Sequence, residues 1–153
     1  MWKEQTIANT SEAQFKVEFE CEFLGSVDTL IAPSKLRNLV YEEPSERNAG
    51  LDIYECPMMG HDYLITVDVA RGVEKDYSAF VLVDITTFPH RVVGKYRNNQ
   101  IKPMLFPSII YEVATKYNKA FILCEVNDIG DQVASIIHYD LEYDNLLLSL
   151  IHI

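Results

Sequence analysis

Two short apolar runs, each closed by a carboxylate, constrain this chain more than any other feature. The first is Tyr63-Leu-Ile-Thr-Val-Asp-Val69 and the second is Ala120-Phe-Ile-Leu-Cys-Glu125. Both read as buried strands. Side chains alternate faces along a strand, so Leu64, Thr66 and Asp68 share one side of the first. Phe121, Leu123 and Glu125 share one side of the second. A charge on an otherwise apolar face is costly unless a partner offsets it. Two carboxylates meeting at strand ends suit a hard divalent cation, Mg²⁺ or Mn²⁺, which takes oxygen ligands and keeps several waters. In a two-ion site such metals activate a water and steady the leaving oxygen of a phosphodiester. The competing reading is that each acid simply ends its strand in solvent.

The pattern around these runs sets the topology. Strands are expected at Tyr63–Val69, Ser78–Asp84 and Arg91–Tyr96, with Gly72 and Pro89 in the joints, which describes an antiparallel meander. Phe106, Ile109, Ile110, Val113 and Tyr117 then form one helical stripe over Pro103–Tyr117, with Asn118 as its stop. After the Glu125 strand, Ile129, Val133, Ile136 and Ile137 give a helix over Asp128–Tyr139, with Asn127 or Asp128 as N-cap. Leu146–Ile153 reads as a last strand. A strand joined to a later strand through a helix is usually parallel to a neighbour by a right-handed crossover. If the Asp68 and Glu125 strands are such neighbours, both acids lie at the C-terminal edge of a mixed sheet, where sites in α/β sheets collect.

The first part of the chain reads as an appendage. Ser11-Glu-Ala-Gln14 is a capping-box pattern leading into a helix over about Ser11–Glu22. Val27–Ala32 suggests an edge strand, and Pro33–Val40 a short helix opened by its proline. Tyr41–Gly60, with Pro44, Gly50, Pro57 and Gly60, reads as a linker or extended arm.

The net charge of −10 argues against a general nucleic-acid coat, because non-specific phosphate binding needs clustered Lys and Arg. It does not argue against an enzyme that holds nucleic acid through metal ions. Three cysteines without C-x-x-C spacing speak against a disulfide framework or zinc site and for a reducing compartment. No run approaches the roughly 20 apolar residues that span a bilayer, and the N-terminus lacks a signal-peptide pattern. The chain is expected to be neither secreted nor membrane-bound.

Several further residues carry two readings each. Asp76, and less so Glu74, sits in the loop just beyond Asp68 and either returns toward the ions or belongs to a polar hairpin turn. Arg71 and Lys75 in the same loop either meet phosphates or are solvated. Asn127 and Gly130 open the helix beside Glu125, where a glycine permits close backbone approach to an anion; the plainer role for Asn127 is a cap. Lys95, Arg97, Lys102, Lys116 and Lys119 are the one basic concentration, either a nucleic-acid groove or a solvated face. The four histidines show no ligand spacing. Cys124 should face away from Glu125, as a packed group rather than a nucleophile.

Taken in order, Ile65-Thr-Val-Asp-Val-Ala-Arg-Gly72, Lys75-Asp-Tyr-Ser78 and Cys124-Glu-Val-Asn-Asp-Ile-Gly130 resemble the nuclease domain of phage large terminase subunits, most closely the T-even type. Upstream, Phe19-Glu-Cys-Glu-Phe-Leu-Gly-Ser26 and Thr29-Leu-Ile31 resemble the stretch that joins the packaging ATPase to that nuclease. The resemblance implies an α/β, RNase H-like fold that cuts concatemeric viral DNA during packaging with two divalent ions, Mg²⁺ or Mn²⁺. Asp68 matches the acid of the first strand, Asp76 the assisting acid eight residues on, and Glu125 the acid of the fourth strand. Arg71, Lys75, Asn127 and Gly130 are the candidate DNA contacts.

It further implies double-stranded DNA as substrate, the portal and small terminase subunit as partners of the full-length protein, and the host cytoplasm as its place of work. Residues 1–53 would be the tail of the ATPase region and a linker, and 54–153 the N-terminal part of the nuclease. The family's third core acid follows the fifth strand, and Asp144 comes too soon after Glu125 to be it. There is no Gly-x-x-x-x-Gly-Lys-Ser/Thr phosphate loop. The expectation is therefore a nuclease domain truncated at both ends. The rivals are another RNase H-like nuclease, such as a resolvase, and a non-catalytic docking module of the packaging machinery.

Overall fold

The computed structural model of the chain describes residues 2–9, 35, 38, 40–71, 76–126 and 129–149. It contains two compact units, Met1–Glu42 and Glu43–Ile153. In the first, helix α1 spans Trp2–Asn9. The helix expected over Ser11–Glu22, the strand over Val27–Ala32 and most of the helix over Pro33–Val40 lie outside the described residues.

The second unit runs β1 (Glu46–Asn48), β2 (Leu51–Ile53), β3 (Tyr63–Asp68), β4 (Ser78–Asp84), β5 (Arg91–Asn98), α2 (Phe106–Lys116), β6 (Phe121–Glu125), α3 (Gly130–Ser135) and β7 (Leu146–Ser149). Its strands form one sheet in the order β1-β2-β5-β4-β3-β6-β7. β3, β4 and β5 are the antiparallel meander read from the sequence. β6 returns parallel to β3 through the α2 crossover, and β7 lies parallel to β6.

The helices cover one face. Tyr63, Ile65 and Val67 of β3, Phe80 and Leu82 of β4, Val93 and Tyr96 of β5, and Ile122 and Cys124 of β6 are all buried. They pack in a single core with Phe106, Ile110, Val113 and Tyr117 of the α2 stripe and its end. Phe106 packs against a pair of rings, 5.5 Å from Tyr96 and 6.2 Å from Phe80 between centroids, which are themselves 5.3 Å apart. Pro107 opens α2 within its first turn, where a missing N–H costs nothing. The chain leaves the helix through Asn118 and Lys119, both at positive φ (55° and 57°). The expected stop at Asn118 is thus a left-handed exit two residues long.

Two differences from the sequence reading matter. Part of the stretch read as linker or arm is a hairpin, β1–β2, which pairs on the outer edge of β5. Its two-residue turn uses Ala49 and Gly50, both at positive φ (46° and 93°), the geometry that matches strand twist in a tight hairpin. The helix after β6 begins at Gly130 with Ile129 as N-cap and no side-chain cap. It widens into a π-helical turn at Ile136–Asp140, whereas Asn127 and Asp128 lie outside the described residues.

At the N-terminal end of β3 the loop before it is tied down by side chains. Asp84 is 4% exposed. Its Oδ2 accepts hydrogen bonds from His61 Nδ1 at 2.8 Å and Arg91 Nη2 at 3.1 Å, and its Oδ1 accepts one from the Thr86 N–H at 3.0 Å. Burial pushes the carboxyl's pKa up, but the bonds from Thr86, His61 and Arg91 together outweigh it and hold Asp84 well below the usual carboxylate range. Asn118 Nδ2 donates to the carbonyls of Met58 and His61, and the Tyr117 hydroxyl donates to that of Glu55. The remaining histidines of the described residues are local: His90 contacts the Thr87 carbonyl and His138 stacks edgewise on Tyr139.

Candidate active site

Pairing across the sheet builds the site. Thr66 stands opposite Leu123 and Val67 opposite Cys124 in the parallel β3–β6 ladder. One step further, the same register sets Asp68 beside Glu125, at the C-terminal ends of two strands about 4.8 Å apart. Both acids belong to the face that the helices leave uncovered, since Cys124 and Val67 occupy the packed face. The Cys124 thiol is pushed up to about 11, chiefly by burial and then by the charges of Glu125 and Asp68. It is therefore a packed thiol beneath two carboxylates and not a thiolate nucleophile.

The open face carries three rows of side chains, which follow from the paired positions. The row nearest the start of β3 is apolar: Phe121, Leu64, Val83 and Val92. The middle row runs Leu147, Leu123, Thr66, Val81, Lys95 and Asp52. The last row, at the site edge, is Glu125, Asp68, Ala79 and Arg97. Phe121 is 40%, Leu147 50% and Val92 54% exposed, so no element of the described residues covers this face.

Two hollows meet at Asp68. One, about 260 Å³, lies on the open face and is lined by Thr66, Asp68, Ala79, Val81, Leu123 and Glu125 among others. The other, about 520 Å³, opens beyond the strand end between Asp68, Ala70, Arg71, Asp76, Tyr77 and Ile129. Asp68 thus shares one hollow with Glu125 and the other with Asp76. Ser78, fully buried, braces the loop between them by hydrogen bonds to the N–H and carbonyl of Ala70. Arg71 stands in the Asp76 hollow, and Gly130 is the buried first residue of α3. Lys75, Glu74 and Asn127 lie outside the described residues. Among the described residues no three acids, histidines or cysteines stand together as a metal cage.

Asp144 precedes β7, and because β7 runs parallel to β6 it lies at the opposite end of the sheet from Glu125, where it lines other hollows. Its exclusion from the site follows from the topology. The structure also sets Arg97 at the edge of the candidate site, a placement the sequence did not show. Its alternation with Lys95 on one strand was visible, but only the cross-strand register puts it on the row of Asp68.

The family described as terminase RNaseH-like domain matches residues 65–151, which hold both strand-end acids. The chain belongs to the terminase RNaseH-like domain family. Solved structures agree with the RNase H-like fold of this family. The large terminase nuclease from thermophilic phage G20c is similar with a TM-score of 0.59, at 21% identity over 71% of this chain and 55% of that one. The same nuclease with bound magnesium gives 0.61, at 20% identity over 72% and 56%. The large terminase nuclease domain of Thermus phage P74-26 gives 0.56, at 22% identity over 72% and 54%. At such identities the likeness is one of fold. This terminase RNaseH-like chain spans little more than half the length of the solved nucleases it matches. No helix among its described residues is long and apolar enough to cross a membrane.

Proposed function

We propose that this chain is the nuclease portion of a viral large terminase and cuts double-stranded, concatemeric DNA during genome packaging by metal-dependent phosphodiester hydrolysis. The single observation that carries the reading is the placement of Asp68 and Glu125 on parallel neighbouring strands, side by side at the C-terminal edge of an RNase H-like sheet. The donor set suits the metal. It is all oxygen, it opens to solvent through two hollows, and the one nearby thiol is turned to the other face. The G20c nuclease has been solved with magnesium, cobalt and zinc bound, which supports a divalent ion here, with Mg²⁺ or Mn²⁺ as the proposed species. A bound divalent ion supplies charge neutralisation and water activation at the phosphodiester.

Asp68 and Glu125 hold the ion and keep the edge of the sheet negative until it binds. Asp76, across the second hollow from Asp68, takes a water or a second ion. Arg71, Lys75, Asn127 and Gly130 contact the DNA backbone near the cut. Residues 1–42 are proposed as the end of the packaging ATPase region with its linker, and 43–153, which include the β1–β2 hairpin on the sheet, as the N-terminal part of the nuclease. The portal and small terminase subunit are the proposed partners of the whole protein, which works in the host cytoplasm. The test is plasmid nicking in Mn²⁺. Nicking that survives Asp68→Ala and Glu125→Ala together sinks the proposal. A chain that shows no thermal response to Mg²⁺ or Mn²⁺ and no nicking is instead a docking module, and cutting confined to branched DNA marks a resolvase-type nuclease.

A further inference from the structure

The sheet edge that carries the acids carries a cation at its other side. Arg97 lies on the row Glu125–Asp68–Ala79–Arg97, two strands from Asp68. At about 4.8 Å per strand, that is roughly 10 Å away. Its guanidinium sits 3.7 Å over the ring of Tyr77, and Tyr77 is also a wall of the hollow that opens on Asp68 and Asp76. A guanidinium stacked by its flat face keeps its in-plane N–H donors for a bidentate acceptor and has already lost much of its side-chain freedom. Arg97 is exposed. Arg47, Arg91, Lys95 and Lys116 each contact a carboxylate. Arg97 forms no ion pair among the described residues, in a chain whose net charge is −10.

The next residue on the same face of β5 is a second cation near a ring, paired in its case with a carboxylate. Lys95 lies 5.7 Å from the Tyr54 ring centroid and 3.6 Å from Asp52. The nearby Tyr54, and after it Asp52, outweigh burial and hold its ammonium above the ordinary lysine value. β5 thus presents two successive cations braced by aromatic rings on the open face of the sheet. The distance of roughly 10 Å from Arg97 to Asp68 is well beyond the 3.4 Å axial rise of one nucleotide on a strand of duplex DNA, so the two residues face different phosphates.

We infer that Arg97, braced on Tyr77, with Lys95 behind it, seats the phosphate backbone of duplex DNA and sets which phosphodiester reaches Asp68 and Glu125. Arg97 acts as a positioning residue: it touches a phosphate close to the cut and not the reacting one. The inference rests on the nuclease reading above, and the geometry of the row is what it adds.

The test uses the unaltered full chain and a labelled duplex in EDTA, where the metal-dependent cut cannot proceed, read by fluorescence anisotropy from 50 to 200 mM salt. Adding Arg97→Gln removes one phosphate contact, so the slope of log K against log salt falls by about 0.9. The affinity gap between the two chains then narrows about 3.5-fold over that range. Arg97→Lys keeps the slope at weaker affinity. Tyr77→Phe keeps both, and Tyr77→Ala weakens binding with the slope intact. A reference chain that binds no duplex at 50 mM salt, or an Arg97→Gln slope equal to the reference, overturns the inference. Nicking by the unaltered chain is scored apart. Nicking with an unchanged slope refutes the Arg97 seat alone, and a changed slope without nicking keeps the Arg97 backbone contact and refutes the nuclease reading on which its positioning role rests.

Discussion

Replacing Asp68 by Asn should make the metal-free chain more stable while removing its response to divalent ions. The two carboxylates end adjacent parallel strands in register. Unit charges about 5 Å apart repel by about 0.8 kcal/mol in water, and 0.15 M salt screens this to roughly half. Asn has the same shape and leaves the backbone ladder intact, so relief of about 0.4–0.8 kcal/mol is the net effect, in the range measured for like charges set opposite on strands. For a unit of this size that is an increase in Tm of about 2–4 °C.

A divalent ion at ten times its Kd stabilises the unaltered chain by about 1.4 kcal/mol, or about 6 °C, and reverses the order of the two proteins. The assay is thermal unfolding of both chains in EDTA and in MgCl₂ or MnCl₂, with NaCl added to match ionic strength. Two results each refute the reasoning: a lower Tm for Asp68→Asn in EDTA, or an equal metal-induced shift in the two chains. The first means that Asp68 is held by a partner, and the second that the ion binds elsewhere.

Asp84→Asn should cost about 2–4 kcal/mol at pH 7, because it removes the charge that His61 and Arg91 bond to in a buried place. Since the folded Asp84 carboxyl is held low, its contribution is complete above the unfolded value near 4 and is lost as the pH falls further. Urea midpoints at pH 5, 4 and 3 should therefore converge for the two chains, and a constant difference tells against the network. Phe106→Ala, which empties a fully buried place beside Phe80 and Tyr96, should cost about 3–5 kcal/mol in the same unfolding assay. Gly50→Ala should cost about 1–3 kcal/mol, since its Cβ would stand 2.6 Å from the Arg97 carbonyl oxygen at a φ of +93°. Hydrogen exchange should report loosening confined to β1, β2 and the end of β5.

The sequence carried the sheet and half of the site for identifiable reasons. The meander, the α2 stripe and the parallel return of β6 were legible because strands of five to eight residues and a helix of eleven are long enough to show their period. Asp68 and Glu125 were legible as a pair because alternation alone sets their faces. The β1–β2 hairpin was not, because strands of three residues such as Glu46–Asn48 show no period, and its turn places Ala49 at positive φ. The π-helical turn at Ile136–Asp140 shifts the hydrogen bonding by one residue and keeps Ile137 in the core, while Ile136 of the expected stripe is only half-buried, a shift the 3.6-residue pattern does not show. Arg97 needed pairing across two strand interfaces before its relation to Asp68 existed at all.

The acids are neighbours in space only because β6 crosses back over the whole meander and α2 to lie against β3. During synthesis Asp68 leaves the ribosome several seconds before Glu125 at ordinary elongation rates. The pairing that unites them is a long-range closure, the kind that folding completes late. In the proposed nuclease, cutting power is therefore a property of the finished sheet: a nascent or half-folded chain carries one acid at a time and has no place to hold the ion.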